Sequence, residues 1–535
     1  MNKELQELRS QNQRVEDHPT SRTDSTTDSG PSTVEDDGMD DFAFSSFPLS
    51  LDGVLVDSSV VTEAFTIFAE LMRPRLPVVG SLSAQLAYEK EPLLFWTIVI
   101  IVLCRLPEQH SIALFKLLRA PYEKLLQSTV FFAPLPLYVV QALLLLCNWP
   151  LPCDRQSEDP SWLYCGVAIQ AARYLSLDRQ QTIPSLRVIG VNPGSIRARI
   201  NTWLVCFSVA TSLSLHLGLP CPIDSELDFS SIHAFLKRNT VSPAFALEVR
   251  IQIIVAKFTA LLNHELADGT SSTFLRLLDS ELDVLKTEMP SDDEQRSIVE
   301  FAILDAKIHM YALVITKFSS KSSSRQILLR NARDIALRIV HIGTSAICSS
   351  DTGDLTATRR EKCQPKDRHR CLAFSNIFLL KFFFRNSSES PEDKQVVASS
   401  IARIGVLCKA CTFDENDEFG RIQKTFEVLG RESPKDAEKP KLLLKHRMGV
   451  SLIYDAISHA GQVRGRSIEL KEGETDHEEK PVEDTSQMQQ FPSESYLIDQ
   501  LDANPDFYKS FWNDPYMSLL SFDPSSTETN HQNTW

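Results

Sequence analysis

The chain has 535 residues, 43% of them apolar, so it can bury a large core, and its 18 glycines are few for a turn-rich β fold. A formal net charge of −15, from 55 basic and 70 acidic side chains, excludes a protein whose whole surface binds nucleic acid. The 11 cysteines are scattered and odd in number, which excludes a disulfide framework, and no secretory signal is legible at the N-terminus; a reduced intracellular protein is expected.

Residues 1–17 carry Leu5, Leu8, Asn12 and Val15 at a/d spacing, with an amide at one a position. This fits a short parallel coiled coil, and hence a homodimer, and it fits a frayed amphipathic helix equally. Residues 18–49 are rich in Ser, Thr, Asp and Glu, which predicts a disordered acidic linker. Near its end Asp36, Asp37, Asp40 and Asp41 run into Phe42, Phe44 and Phe47, a weak docking motif.

Residues 50–463 alternate apolar helical runs with polar breaks, and strand-like alternation is scarce. The expected fold is all-α, a large helical bundle. Helices are predicted over 60–72, 93–103, 111–127, 137–148, 162–177 and 197–217. A second set falls at 243–267, 273–287, 293–318, 324–347, 371–385, 390–411 and 442–462, with polar insertions at 352–369 and 430–440. Two apolar runs were tested as membrane spans. Residues 93–104 are too few, and residues 130–152 hold Pro134, Pro136, Pro150 and Pro152, so no membrane segment is expected.

The stretch from Trp162 to Ile223 is the most informative. Leu163, Val167, Ala171 and Leu175 recur every four residues and predict one apolar stripe. Gly166, Ala168 and Ala172 suit close helix packing, and Arg179 suits a helix C-terminus. Beyond a loop follow Arg197, Arg199, Trp203, Gly218, Pro220 and Ile223.

A charged linker is predicted over 464–495. Over 496–535 Leu501, Phe507, Phe511, Trp512, Tyr516 and Leu520 are interleaved with Asp499, Asp502, Asp506 and Asp514. This is the composition of a disordered activation segment whose aromatics dock in a coactivator groove. A helix folded back onto the core is the other reading.

No catalytic, cofactor or metal set is legible. Cys408 and Cys411 are a lone close pair, two ligands short of a zinc site. His264-Glu265 lacks a second histidine, since Asp268 takes that place. Asn416-Asp417 is followed eight residues after Asn416 by Lys424, and Asp293 is followed three residues on by Arg296, so neither completes the metal box of a helical isoprenoid synthase. Two basic clusters remain. Arg359, Arg360, Lys362, Lys366, Arg368 and Arg370 form one, and Lys435 to Arg447 a looser second; each reads as a nuclear-import signal or a solvated loop.

The W…G.A…A…L.L.R pattern, here Trp162, Gly166, Ala168, Ala172, Leu175, Leu177 and Arg179, followed by Arg197, Arg199, Trp203, Gly218 and Pro220, resembles the regulatory middle region of fungal zinc-cluster (Zn2Cys6) transcription factors. Gln141-Ala142-Leu143-Leu144 and Trp149 are similar to a preceding helix of that family. The likeness covers about residues 58–223. Departures are Gln170 for an Arg, Ser176 for a Gly, Ala210-Thr211 for an Asp-Arg pair and Leu219 for an Arg. The resemblance implies a nuclear regulator, an activator, whose helical body controls a DNA-binding module. The six cysteines of a zinc cluster are absent from this sequence, so zinc and DNA contact are expected only through a lost N-terminal module or a partner, and the tail is expected to meet the transcription machinery. A missing upstream exon is the favoured explanation, ahead of action through a partner or a decaying copy. The competing classes are an isoprenoid-synthase-like enzyme on a helical scaffold and a cytoplasmic interaction protein.

Overall fold

The structure is a computed structural model of the whole chain. It describes residues 40–44, 49–153, 158–180, 194–263, 268–317, 323–349, 355–385 and 390–412, with scattered positions between 419 and 451. The N-terminal coil, most of the acidic linker, nearly all of the helix predicted at 442–462, the charged linker and the acidic tail lie outside the described residues.

The end of the linker belongs to the body. Asp40 pairs with Arg73 at 2.6 Å, and Phe42 and Phe44 stack against Phe65 and Phe95. The boundary drawn at residue 49 is therefore too late, because these aromatics cover apolar surface of the first helices. Next comes a small antiparallel hairpin, β1 (Leu49–Leu51) and β2 (Val54–Val56), with Leu49 opposite Val56. Asp52 and Gly53 both take positive φ, 47° and 86°, which is the Asp-Gly turn that matches strand twist.

Helices α1 (Ser58–Ile67), α2 (Ala84–Lys90), α3 (Pro92–Leu103), α4 (Gln109–Val130), α5 (Leu137–Asn148), α6 (Ser161–Tyr174) and α7 (Ile196–Leu217) follow. Every residue from Leu93 to Leu103 is buried, as is every one from Val139 to Cys147. A helix apolar all round belongs in the centre of a core, and α3 and α5 pack on each other there. Ser195 caps the start of α7, its Oγ accepting from the Ala198 amide at 3.1 Å, and Gly218 ends it at φ 66°. By length and composition α7 could cross a membrane, but nearly all of it is buried within protein.

After α8 (Glu226–Leu236) come α9 (Pro243–Asn263), α10 (Asp268–Leu285), α11 (Asp293–Lys317), α12 (Ser323–Ser349), α13 (Leu355–Lys362), α14 (Lys366–Arg385) and α15 (Pro391–Cys411). Buried apolar side chains form two cores. One is built from α1–α8, the other largely from α9–α15. Helix α9 serves both: Phe245, Val249, Ile253 and Ala256 face the first, while Leu247, Ile251, Val255, Phe258 and Leu262 face the second. Gly343 lets α12 approach α14 so closely that any Cβ there would collide with Leu372.

The predicted helices are thus present wherever residues are described, with ends within a few residues. Three were not foreseen. Helices α2 and α8 are short but have readable starts, since Ser83 and Ser225 accept from the Leu86 and Asp228 amides. Helix α13 has no apolar periodicity to announce it.

Candidate functional site

The signature helix α6 buries Ser161, Cys165, Ala168, Ile169 and Ala172, and this face packs on α5 and α7. The stripe expected from Leu163 is displaced by about a turn's fraction: Leu163 is half exposed, Val167 and Ala171 are partly buried, and only Leu175 is fully inside. Trp162 is 42% exposed, and Gly166 faces open space where a Cβ would meet nothing. Gly166 therefore does not serve close packing, whereas Ala168 and Ala172 do.

The end of α6 explains a departure from the family pattern. Ser176 takes φ 55°, its amide donating to the Arg173 carbonyl and the Leu177 amide to the Ala172 carbonyl, both at 2.9 Å. This paired closure places residue 176 in the left-handed region, where glycine has no Cβ penalty and serine does. Arg199, reaching over from α7, is buried and donates to the Ser176 carbonyl at 2.9 Å and more weakly to that of Arg179. Arg179 itself is exposed beyond the helix end.

The other signature residues are internal. Gln141 donates from Nε2 to the Val78 carbonyl at 2.9 Å and to Thr202 Oγ1 at 3.3 Å. Trp149 is fully buried and its Nε1 donates to the Cys363 carbonyl at 2.9 Å, joining α5 to the end of α13. Trp203 is fully buried beneath the Arg173 guanidinium, which lies 5.2 Å from its ring centroid and pairs with Asp228 at 3.0 Å. The Pro220 carbonyl accepts from Ser214 Oγ.

The first basic cluster divides: Arg360 is exposed and Arg359 and Lys362 are partly so, while the residues on α14 turn inward. Lys366 and Arg370, one turn apart on α14, have side chains only 5% exposed, and both reach Asp159 Oδ2, at 3.1 and 3.0 Å. Asp159 is 2% exposed and its Oδ1 also accepts from the Ser161 amide and hydroxyl. Burial opposes its charge, yet the two cations hold the Asp159 carboxyl far below the usual carboxylate range. Arg368 lies 4.5 Å from the Phe301 ring centroid and 3.7 Å from Glu361, which is itself buried beside His369. Arg359 pairs with Glu108. The expected polar insertion is therefore two helices, and Lys366, Arg368 and Arg370 are withdrawn from any importin. Their charge compensates buried carboxylates across the two cores; charge runs look solvated in sequence because their partners are far away along the chain. The second basic cluster lies outside the described residues.

Next to this network lies a triad drawn from two helices. His216 on α7 faces Asp305 and His309 on α11, with His216 Nε2 3.5 Å and His309 Nδ1 3.0 Å from Asp305 Oδ1. The two imidazoles meet edge-on at 4.8 Å, and His309 stacks on Phe374 of α14 at 4.3 Å. Burial opposes a proton on His216, but Asp305 raises its pKa overall, and burial with the same carboxylate pushes the Cys371 thiol well up. This is the one set among the described residues with the composition and spacing to hold a metal ion. Its members are 89 and 93 positions apart in sequence apart from the Asp305/His309 pair, which is why motif reading passed over it.

These helices, with their buried tryptophans and closed α6 end, lie in the stretch that matches a known family: residues 67–237 match the family model described as Fungal specific transcription factor domain. Among relatives, a SEF1 protein of Eremothecium gossypii is 25% identical over 448 residues, 78% of this chain and 40% of that protein. The transcriptional regulatory protein SEF1 of Candida albicans is 27% identical over 234 residues, covering 41% of this chain and 25% of the relative. A regulatory protein of Saccharomyces cerevisiae is 25% identical over 316 residues, 54% of this chain and 35% of its own length. The similarity to the first of these runs well past Ile223, where the motif likeness thins. The chain spans less than half the length of each of these relatives. No solved structure gives a significant match. These relatives are named as transcription factors or regulatory proteins, which does not favour the enzyme reading.

Proposed function

We propose that this chain is a nuclear transcriptional regulator, an activator, of the fungal zinc-cluster type. The observation that carries the reading is the match over residues 67–237, in which Gln141, Ala168, Ala172 and Trp203 lie buried among α5, α6 and α7 and Trp149 ties α5 to the end of α13. The helical body is the regulatory part. DNA is reached through an N-terminal zinc cluster or a DNA-bound partner, and zinc as a DNA-reading cofactor belongs to that module. The acidic-aromatic tail contacts the transcription machinery, with Phe511 and Trp512 as anchors and the neighbouring carboxylates keeping them solvated. With Lys366, Arg368 and Arg370 buried, nuclear entry falls to other basic residues, such as Lys435 to Arg447.

The test is a reporter fusion of residues 490–535 to an unrelated DNA-binding domain. Transcription above the unfused domain is expected, abolished by Phe511→Ala with Trp512→Ala and only weakened by Asp514→Asn. No transcription from the fusion removes the activation role of the tail.

A further inference from the structure

We infer that the regulatory body holds one divalent transition-metal ion, zinc by its donor chemistry, between α7 and α11, bound by His216, Asp305 and His309.

The geometry around His216 is the starting point. Its Nδ1 lies 2.8 Å from the Ser212 carbonyl, a partner that can only accept, so Nδ1 carries the proton. The lone pair is then on Nε2, which is aimed at Asp305 Oδ1, and neither atom has a hydrogen-bond partner although both are buried. An imidazole nitrogen and a carboxylate oxygen facing each other in a poorly hydrated interior call for a cation between them, a proton or a metal ion. A histidine whose far nitrogen donates to a backbone carbonyl is also how metal-bound imidazoles are fixed in tautomer and direction.

The spacing fits. Bonds of about 2.0–2.2 Å from zinc to nitrogen and oxygen at tetrahedral angles put ligand atoms about 3.3 Å apart. Here His216 Nε2 lies 3.5 Å from Asp305 Oδ1 and one ligand atom from each residue lies within 4.8 Å of the others, while His309 Nδ1 is 3.0 Å from both Asp305 Oδ1 and the Asp305 carbonyl. Asp305 and His309 stand one helical turn apart on α11, so a single helix face offers two donors and α7 closes the third. Imidazole and carboxylate suit zinc, whereas a calcium or magnesium site wants oxygens throughout. An ion here ties α7, which belongs mainly to the first core, to α11 of the second. The site is independent of any DNA-reading cluster.

The test uses the full chain, stripped with a chelator and titrated with Zn(II) and with Co(II). One equivalent is expected to bind, with Co(II) giving tetrahedral ligand-field absorption and metal raising the melting temperature. His216→Gln and His309→Gln, with far-UV dichroism confirming their helices, should each weaken that equivalent by more than about 100-fold, beyond the loss of a supporting partner. Should either variant fail to fold, zinc-edge X-ray absorption of the wild-type chain decides: imidazole scattering with nitrogen and oxygen neighbours supports the site, and an all-sulfur shell overturns it. Equal uptake by wild type and folded variants, or no uptake at all, also overturns it.

Discussion

The two cores of this protein are put together by different means. In the first, α3 and α5 are buried on every side and Trp149, Gln141 and Trp203 make one or two directed contacts each within an otherwise apolar interior. In the second, charge enters with the helices: Lys366, Arg368 and Arg370 on α14, Glu361 on α13 and Asp305 on α11 are turned inward. An apolar core tolerates exchange of similar volumes, whereas a charged one depends on each partner being present. The part carrying the family match is thus held mainly by apolar packing, and its union with the remainder by the apolar faces of α9 together with the Asp159–Lys366–Arg370 ion pairs.

The largest effect should come from breaking that union. Asp159→Ala removes the buried carboxylate that both Lys366 and Arg370 reach, and urea unfolding should show a loss of about 3–5 kcal/mol. Replacing all three by apolar residues (Asp159→Leu, Lys366→Met, Arg370→Leu) should recover most of it. A loss no larger than that of a surface ion pair would erase the contrast between the cores.

Within the first core the two tryptophans of the signature sharpen the comparison. Trp203→Ala should cost about 3–5 kcal/mol, as for other buried aromatics, while Trp162→Ala, at 42% exposure, should stay within about 0.5 kcal/mol by the same unfolding assay. Similar costs for both would contradict the half-exposed placement of Trp162.

Glu248, on the shared helix α9, supplies a pH test. Burial pushes its carboxyl up to about 7, with Arg75 at 3.9 Å only partly opposing this. The folded protein therefore keeps a proton that the unfolded chain releases near 4.5, and stability falls as pH rises through that interval. Glu248→Gln should match wild type at pH 5 and exceed it by on the order of 2 kcal/mol at pH 8, read from melting curves across the range. A difference that does not change with pH would contradict the burial of this carboxyl. The smallest change is Ser176→Gly, which should stabilise by about 1 kcal/mol by relieving the left-handed serine; destabilisation there would show that the serine side chain contributes something the backbone does not.

How much was legible follows the same division. Unbroken apolar runs bounded by polar residues set α3, α5 and α7 within a residue or two, because full burial leaves that run in the sequence. Apolar periodicity placed the stripe of α6 wrongly, since that helix ends in small residues for which exposed Leu163 and buried Ala168 carry the wrong hydrophobic weights. The Lys366–Asp159 pair is separated by 207 positions, and no local pattern reports a partner so distant. The triad of His216, Asp305 and His309 was hidden for the same reason: only Asp305 and His309 share a helix, and two donors alone are common. The Asp52-Gly53 turn and the Ser83 and Ser225 caps were readable signals that a search for long helices overlooked.

The most direct test of a regulatory body is to tether the full chain to an unrelated DNA-binding domain and read a reporter, with the tail alone and full-length Asp159→Asn alongside at matched abundance. Output from the full chain above the unfused domain, altered several-fold when Asp159 no longer holds the two cores together, is the result this account predicts. A full chain indistinguishable from the DNA-binding domain alone, with or without Asp159, would contradict it.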